Sequence, residues 1–427
     1  MNIGRLDFGR CSAQGLARLG VLMYLIAVPF THNAAWKNGA TLLMLGAAIG
    51  LWQKRLLVVK GIMPLATSLM ALLAILLLSA FAGVDPLSSL NELRKHFLPG
   101  LLLFLLAAVA FREEEWQRRL LLLVGFAFLA RIGLAVIELS SFGDLAAARD
   151  QGRFVKGLAL DAGFYFPVYI GLMVWRSPYR WFGTIAAAAV FGIIVAVQGR
   201  APLLAALVSA LAMLAVLRKW RVLVFLFGGA IVALGVLMVT QPVVGERFAA
   251  AFSPKTYLQA LDRRAYGSES DGLSGRIPIW LGVIEIANAR PLLGYGFGWK
   301  KLGKIAVEDG YLARWEAMRN DAVAKAQASY FSLPTDKVNP HNLYLQIYFE
   351  AGIVGVAAYL AVLGIALWQA WRLVRGGPAW EGIVGAIIFG FLVNHIVLGF
   401  ANGLWLGLGP SMAWLGLLAA LSRRMRV

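Results

Sequence analysis

Only one of the 427 residues is cysteine, Cys11, so an internal disulfide is excluded. Charged side chains are sparse as well, at 15% of the chain, well below the share of an ordinary globular domain. Acid is the scarcer sign: 22 Asp and Glu against 40 Lys and Arg leave a net charge of +18. Neither end carries a polar stretch large enough for a soluble basic domain, so this excess is not read as a nucleic-acid-binding surface. A typical cleavable signal is not expected either. The first apolar stretch runs into Thr31-His32-Asn33 rather than a small-residue cleavage site, and it is expected to stay as an anchor. No convincing internal repeat is present.

What the chain has in quantity is apolar sequence, 60% of its residues. Windows of roughly 17 to 25 apolar residues recur, each long enough for a helix to cross about 30 Å of hydrocarbon. About twelve fall near 16–32, 39–53, 62–82, 96–111, 119–139, 161–175, 181–198, 202–217, 222–240, 343–370, 380–400 and 404–421. This pattern predicts an all-α polytopic integral membrane protein. The exception is the polar insertion Gln241–Asn342. The expected division is nine transmembrane helices within 1–240, an extramembrane lobe with short helices over 241–342, and three more helices within 343–427.

Charge orients the chain. Alternate connections carry basic clusters: Lys54/Arg55/Lys60, Arg112/Arg118/Arg119, Arg176/Arg180, Arg218/Lys219/Arg221 and Arg372/Arg375. Both termini match them, with Arg5/Arg10/Arg18 and Arg423/Arg424/Arg426. Short loops rich in Lys and Arg stay cytoplasmic, which puts both termini inside and the 241–342 insertion outside. The outer face is basic as well, with Arg94, Lys95, Arg149, Arg153, Lys156, Arg200, Arg276, Lys300, Lys301 and Lys304. A solvated surface near anionic headgroups accounts for such a cluster, and so does a site for a polyanion such as a diphosphate.

Individual residues sharpen the second account. Arg200 lies in Gln198-Gly199-Arg200-Ala201-Pro202, a tight outer hairpin at the start of a helix, where the helix dipole and a guanidinium both favour a phosphate. Snorkelling to headgroups is the plainer use of such an arginine. Arg276 opens an apolar stripe of Ile277, Trp280, Val283, Ile284 and Ala287 that ends at Arg290-Pro291, with Ser274 or Gly275 as candidate caps. A cation there opposes the helix dipole and points to an anionic partner, a role that Asp271 would also fill. Gly294-Tyr295-Gly296-Phe297-Gly298 lacks the preceding strand and the lysine-serine pattern of a nucleotide loop. It reads better as a turn that brings backbone close to the helix bundle. His341, in Asn339-Pro340-His341-Asn342 at the next helix start, is the candidate general base: its ordinary pKa leaves a free nitrogen at neutral pH. A cap or interfacial residue is the blander use of a lone histidine there. Within the membrane, Arg131 and Glu138 share a helical face and are expected to pair or to face a cavity. Lys95 and Arg94, before the fourth span, are placed to reach an outer cavity. His32, His96 and His395 are weaker candidates, with Asn394 or Asn402 as possible partners for His395.

The order of these features resembles the O-antigen ligase family, grouped with O-antigen polymerases and bacterial protein O-oligosaccharyltransferases. The matching residues are Gln198-Gly199-Arg200, Ser274-Gly275-Arg276 with Trp280, Pro291-Leu292-Leu293-Gly294-Tyr295-Gly296-Phe297-Gly298, His341-Asn342-Leu343-Tyr344-Leu345, Glu350-Ala351-Gly352 and Gly355. Topology is similar over nearly the whole chain; the motifs cover about 198–202 and 274–355. The resemblance implies inverting glycosyl transfer at the periplasmic face of a Gram-negative inner membrane, with no metal and no cofactor. The donor would be a glycan on undecaprenyl diphosphate, and the acceptor lipid A–core. Arg200 and Arg276 would bind the diphosphate, and His341 would take the acceptor proton. Lys95, Arg94 and Asn342 are further candidates for binding substrate. The lack of an Asp-x-Asp or His/Cys ligand set on the outer face fits such chemistry.

Three alternatives remain at this level. A polymerase would use the same donor but often has two sizeable outer loops, whereas 140–160 is short. A protein-glycosylating relative usually carries more sequence than the chain has after Val427. A transporter or flippase of lipid-linked sugars would give Arg131 a natural role, but the two-fold repeat and paired broken helices of many transporters are missing.

Overall fold

The computed structural model describes residues 12–30, 33–54, 63–142, 152–175, 177–197, 199–240, 276–318, 320–335, 337–402 and 408–422. Cys11, His32, Arg149, Gln198, Asp271, Ser274 and Gly275 lie outside the described residues. Within them helix is the dominant regular structure and there is no strand. Sixteen helices run α1 Ala13–Ala27, α2 Ala34–Gln53, α3 Met63–Ala82, α4 Pro86–Ala110, α5 Glu114–Ser141, α6 Leu158–Val174, α7 Arg180–Ala196, α8 Arg200–Val216 and α9 Trp220–Thr240. Then come α10 Ile277–Ala287, α11 Lys301–Glu308, α12 Tyr311–Ala317 and α13 Ala322–Phe331. The last are α14 Leu343–Gly376, α15 Ala379–Gly399 and α16 Leu408–Ser422.

Among the described residues, a helix occupies much of each of the twelve expected apolar stretches. Five of these helices, α3, α4, α5, α14 and α15, are, among the described residues, long and apolar enough to cross a membrane. Such helices mark a multi-pass membrane protein. One core joins α1–α8 with α14–α16, around Leu103, Phe128, Tyr169, Met213 and Ile387. Helices α4 and α16 pack closely, as do α6 and α7, and α8 and α15. A second, smaller core belongs to α10–α13, where Val283, Ile286, Leu302, Trp315 and Phe331 are buried together with Phe349 of α14.

Two expectations are corrected. Helix α4 begins at Pro86, ten residues before the expected span, because Asp85 accepts the Ser88 N–H (3.0 Å) and proline suits the first turn. Glu92, Arg94, Lys95 and His96 therefore sit on the helix, not ahead of it. Arg131, only 2% exposed, does not pair with Glu138. It forms an ion pair with Asp161 of α6 and donates to the carbonyls of Phe154 (3.2 Å) and Lys156 (2.9 Å). Glu138 instead accepts the backbone N–H groups of Arg153 (2.6 Å), Phe154 (2.6 Å) and Val155 (3.0 Å). Both charges brace the turn that leads into α6.

The long helix α14 is broken at Gly352, whose φ of 65° and ψ of −168° lie outside the helical region. The break frees backbone groups on both sides, and the segment 291–296 takes them up. Tyr295 and Gly296 donate to the carbonyls of Phe349 (2.8 Å) and Glu350 (3.0 Å), while Ile353 donates to Pro291 O (2.8 Å). The glycine-rich segment is thus a backbone clamp on the bundle, and it also accepts Val84 N–H at Tyr295 O (3.2 Å). A Cβ on Gly352 would collide with the Leu292 carbonyl. Gly352→Ala is therefore expected to cost about 3 kcal/mol through strain and collision. A wild-type melting temperature for the full-length variant in detergent would refute this.

Candidate active site

His341 sits between the small core of α10–α13 and the start of α14. Its backbone is left-handed, with φ of 50°, a conformation that costs a residue with a Cβ roughly 1 kcal/mol. Asn339 holds it there: the Asn339 Oδ1 accepts the His341 N–H at 2.7 Å, closing a turn over Pro340. Tyr330 of α13 fixes Asn339 in turn, donating its hydroxyl to Asn339 O (2.8 Å) and accepting Asn339 N–H (3.0 Å). Its ring meets the imidazole edge-on, centroids 6.3 Å apart. Burial, and then the positive charge of Arg276, push the His341 pKa down to about 4. The imidazole is accordingly neutral at pH 7, with a lone pair available as a base.

Arg276 is the residue before α10, where Pro278 occupies the first turn. Its guanidinium donates to Ala401 O at 2.6 Å, just beyond the end of α15. The neighbouring carbonyl, Phe400 O, takes Asn342 Nδ2 at 3.5 Å. Adjacent carbonyls at the end of α15 thus tether Arg276 and the neighbour of His341, and this brings the two candidates together. Partial burial draws the Arg276 pKa below its ordinary value.

Other candidates are placed differently. Asn342 is 6% exposed and caps α14, its Oδ1 accepting Tyr344 (3.0 Å) and Leu345 (3.1 Å) N–H groups. Both ends of its amide are therefore engaged in structure. Arg94 donates to Asn91 Oδ1 (3.0 Å), and Lys95 and His96 both pair with Glu92 (3.3 and 3.2 Å), all on exposed turns of α4. His395 pairs with the Tyr359 hydroxyl inside the bundle, not with either asparagine. Arg200 opens α8 and, among the described residues, has no hydrogen-bond or ion-pair partner. The turn before it rests on α6: a Cβ on Gly199 would lie 2.7 Å from Ala159 Cβ. One turn on, Gly163 of α6 faces both Pro202 O and the amide of Asn394 in α15. From Asn394 to Ala401 is about 10 Å along a helix axis. Arg200 therefore stands at the same end of the bundle as Arg276 and His341.

Residues 185–360, from within α7 to the middle of α14, match the family described as O-antigen ligase. That stretch belongs to the O-antigen ligase family. It contains Arg200, Arg276 and His341. Members of the family are glycosyltransferase-type enzymes. No curated protein matches the chain.

Sequence reasoning missed two residues of this O-antigen ligase domain. Tyr330 carries no sequence signal, since its role depends on α13 folding back beside Asn339. Lys301 appeared only as one cation of an outer cluster, yet it is 8% exposed. Its signal was faint: alone among Lys300, Lys301 and Lys304 it falls on the apolar stripe with Leu302, Ile305 and Ala306.

Proposed function

We propose that this protein is an O-antigen ligase. It transfers a glycan from undecaprenyl diphosphate to a hydroxyl of lipid A–core at the periplasmic face of the inner membrane. One observation carries the reading: within the family-matched stretch, the half-buried, neutral imidazole of His341 lies close enough to the Arg276 guanidinium to feel its charge, and Arg276 and Asn342 are tethered to adjacent carbonyls just beyond α15. In this reading the twelve helices in the apolar stretches all cross the membrane and both termini are cytoplasmic. The 241–342 lobe is periplasmic, in keeping with the basic connections on the opposite side.

The chemistry follows from those parts. An acceptor hydroxyl oxygen attacks the anomeric carbon from the face opposite the diphosphate. The new C–O bond forms as the old one breaks, and configuration inverts. The hydroxyl proton passes to His341, and the electron pair leaves with the diphosphate. Arg276 and Arg200 hold that group and stabilise the charge it gains, the largest type of contribution a preorganised site makes. Binding the diphosphate also offsets the Arg276 charge that depresses His341. The base thereby strengthens when its substrate is present.

The decisive experiment incubates the purified full-length protein with an undecaprenyl diphosphate-linked glycan and lipid A–core, with chelator present. Glycan-extended lipid A–core is the expected product. Extension of the lipid-linked glycan itself would reassign the protein as a polymerase, and no transfer at all would overturn the reading.

A further inference from the structure

We propose that Lys301 is a positioning residue of the transfer site: its buried ammonium, between Ser89, Phe297 and Glu350, locks the first turns of α4 onto the lobe that carries Arg276 and His341. The inference rests on the transfer reading above. Lys301 Nζ donates to Ser89 Oγ at 2.6 Å and to Phe297 O at 2.7 Å. Ser89 in turn donates to Asp85 O (2.7 Å) at the head of α4. Glu350, 0% exposed and beside the break in α14, holds Gln346 Nε2 at 2.9 Å and lies close enough for its charge to act on Lys301. The site leaves no spare room: a Cβ on Gly296 would lie 2.7 Å from Ser89 Oγ and 3.3 Å from the ammonium. Three elements therefore converge on one cation.

The same helix touches the base-bearing segment. A Cβ on Gly303 would lie 2.9 Å from Thr335 Cα and 3.0 Å from Val338 Cγ2, just before Asn339 and His341. A shift of α11 is thus transmitted to the turn that holds the imidazole. Burying an ammonium is costly unless it is compensated, so an apolar residue would serve mere packing better. Burial brings the Lys301 pKa down to about 8, against the opposing charges of Glu350, Asp85 and Glu92. Glu92 itself faces Lys95, His96 and Lys300. Above about pH 8 the neutral amine keeps two N–H donors for Ser89 and Phe297, but its charge attraction to Glu350 is lost. The junction then rearranges and the site is misaligned.

The test is the pH dependence of transfer by the full-length enzyme from pH 6 to 10. Wild-type kcat should fall about tenfold per pH unit above pH 8, with KM little changed. Lys301→Arg, whose charge does not titrate, should abolish that fall. Glu350→Gln removes the first opposing charge and should move the fall to lower pH. A variant that does not fold leaves the other to decide. Unfolding does not mimic the effect. With Lys301 depressed in the folded state, the unfolded chain binds more protons between about pH 8 and 10.4, so linkage raises stability over that range while the rate drops. An alkaline fall unmoved in both variants, or a wild-type rate for Lys301→Met at pH 7, would overturn the proposal and leave the transfer reading intact. Absence of wild-type transfer at pH 7 would instead refute that reading.

Discussion

Replacing His341 with alanine is expected to slow transfer about a thousandfold, the usual scale for removing a general base. Donor binding and protein level should persist, since the imidazole touches neither α10 nor the end of α15 through a hydrogen bond of its own. Alanine, however, also sits poorly in the left-handed conformation. His341→Asn is the sharper variant: asparagine tolerates that backbone and keeps the turn set by Asn339, but it cannot take a proton at neutral pH. Both variants should be equally inactive. An active asparagine variant would mean that the shape of the turn, and not the base, is what the site requires. The acid limb gives a second check. The imidazole must be neutral to act, so kcat/KM should hold at neutral pH and fall as pH drops through about 4.

Arg276→Ala should reduce transfer by about a hundredfold to a thousandfold, the range for losing one preorganised donor to developing negative charge. Arg276→Lys should fall between, because an ammonium keeps the charge but not the two-pronged geometry suited to a phosphate. The affinity for lipid-linked donor, measured directly, should follow the same order, and Arg200→Ala should weaken it too. Equal affinity in all three variants would refute diphosphate recognition. Arg276 also acts on His341, because its charge is the second cause of the depressed pKa. In Arg276→Met the acid limb should therefore move up from about 4 toward the ordinary histidine value of about 6.5. An acid limb that stayed in place would show that the two side chains are not neighbours in the working enzyme.

Much of the candidate site's local geometry was legible in the chain because its parts are local. Asn339-Pro340-His341-Asn342 is a short run in which one asparagine closes the turn and the other caps α14, and both uses depend on neighbours two or three residues away. What spacing alone mishandled is equally instructive. Arg131 and Glu138 share a face, but seven residues span about 10.5 Å along the helix. A partner from α6, brought alongside by the reversal of the chain, lay nearer. Gly294-Tyr295-Gly296-Phe297-Gly298 was legible as a close approach of backbone. Its target, the break in α14, was not, because a glycine in a long apolar run looks like any other until another segment claims its freed carbonyls.

Composition and the period of the apolar windows determined that the chain is a helical membrane protein, because a backbone in hydrocarbon must satisfy its own hydrogen bonds. The order of the motifs was enough to indicate the family. Tertiary structure alone decided that Arg276 and Asn342 share neighbouring carbonyls just beyond α15, that Tyr330 steadies the turn of His341, and that Lys301 is buried within reach of the Glu350 charge. These contacts join residues tens or hundreds of positions apart. Which distant groups meet depends on how whole helices pack, and no local pattern in the sequence encodes that.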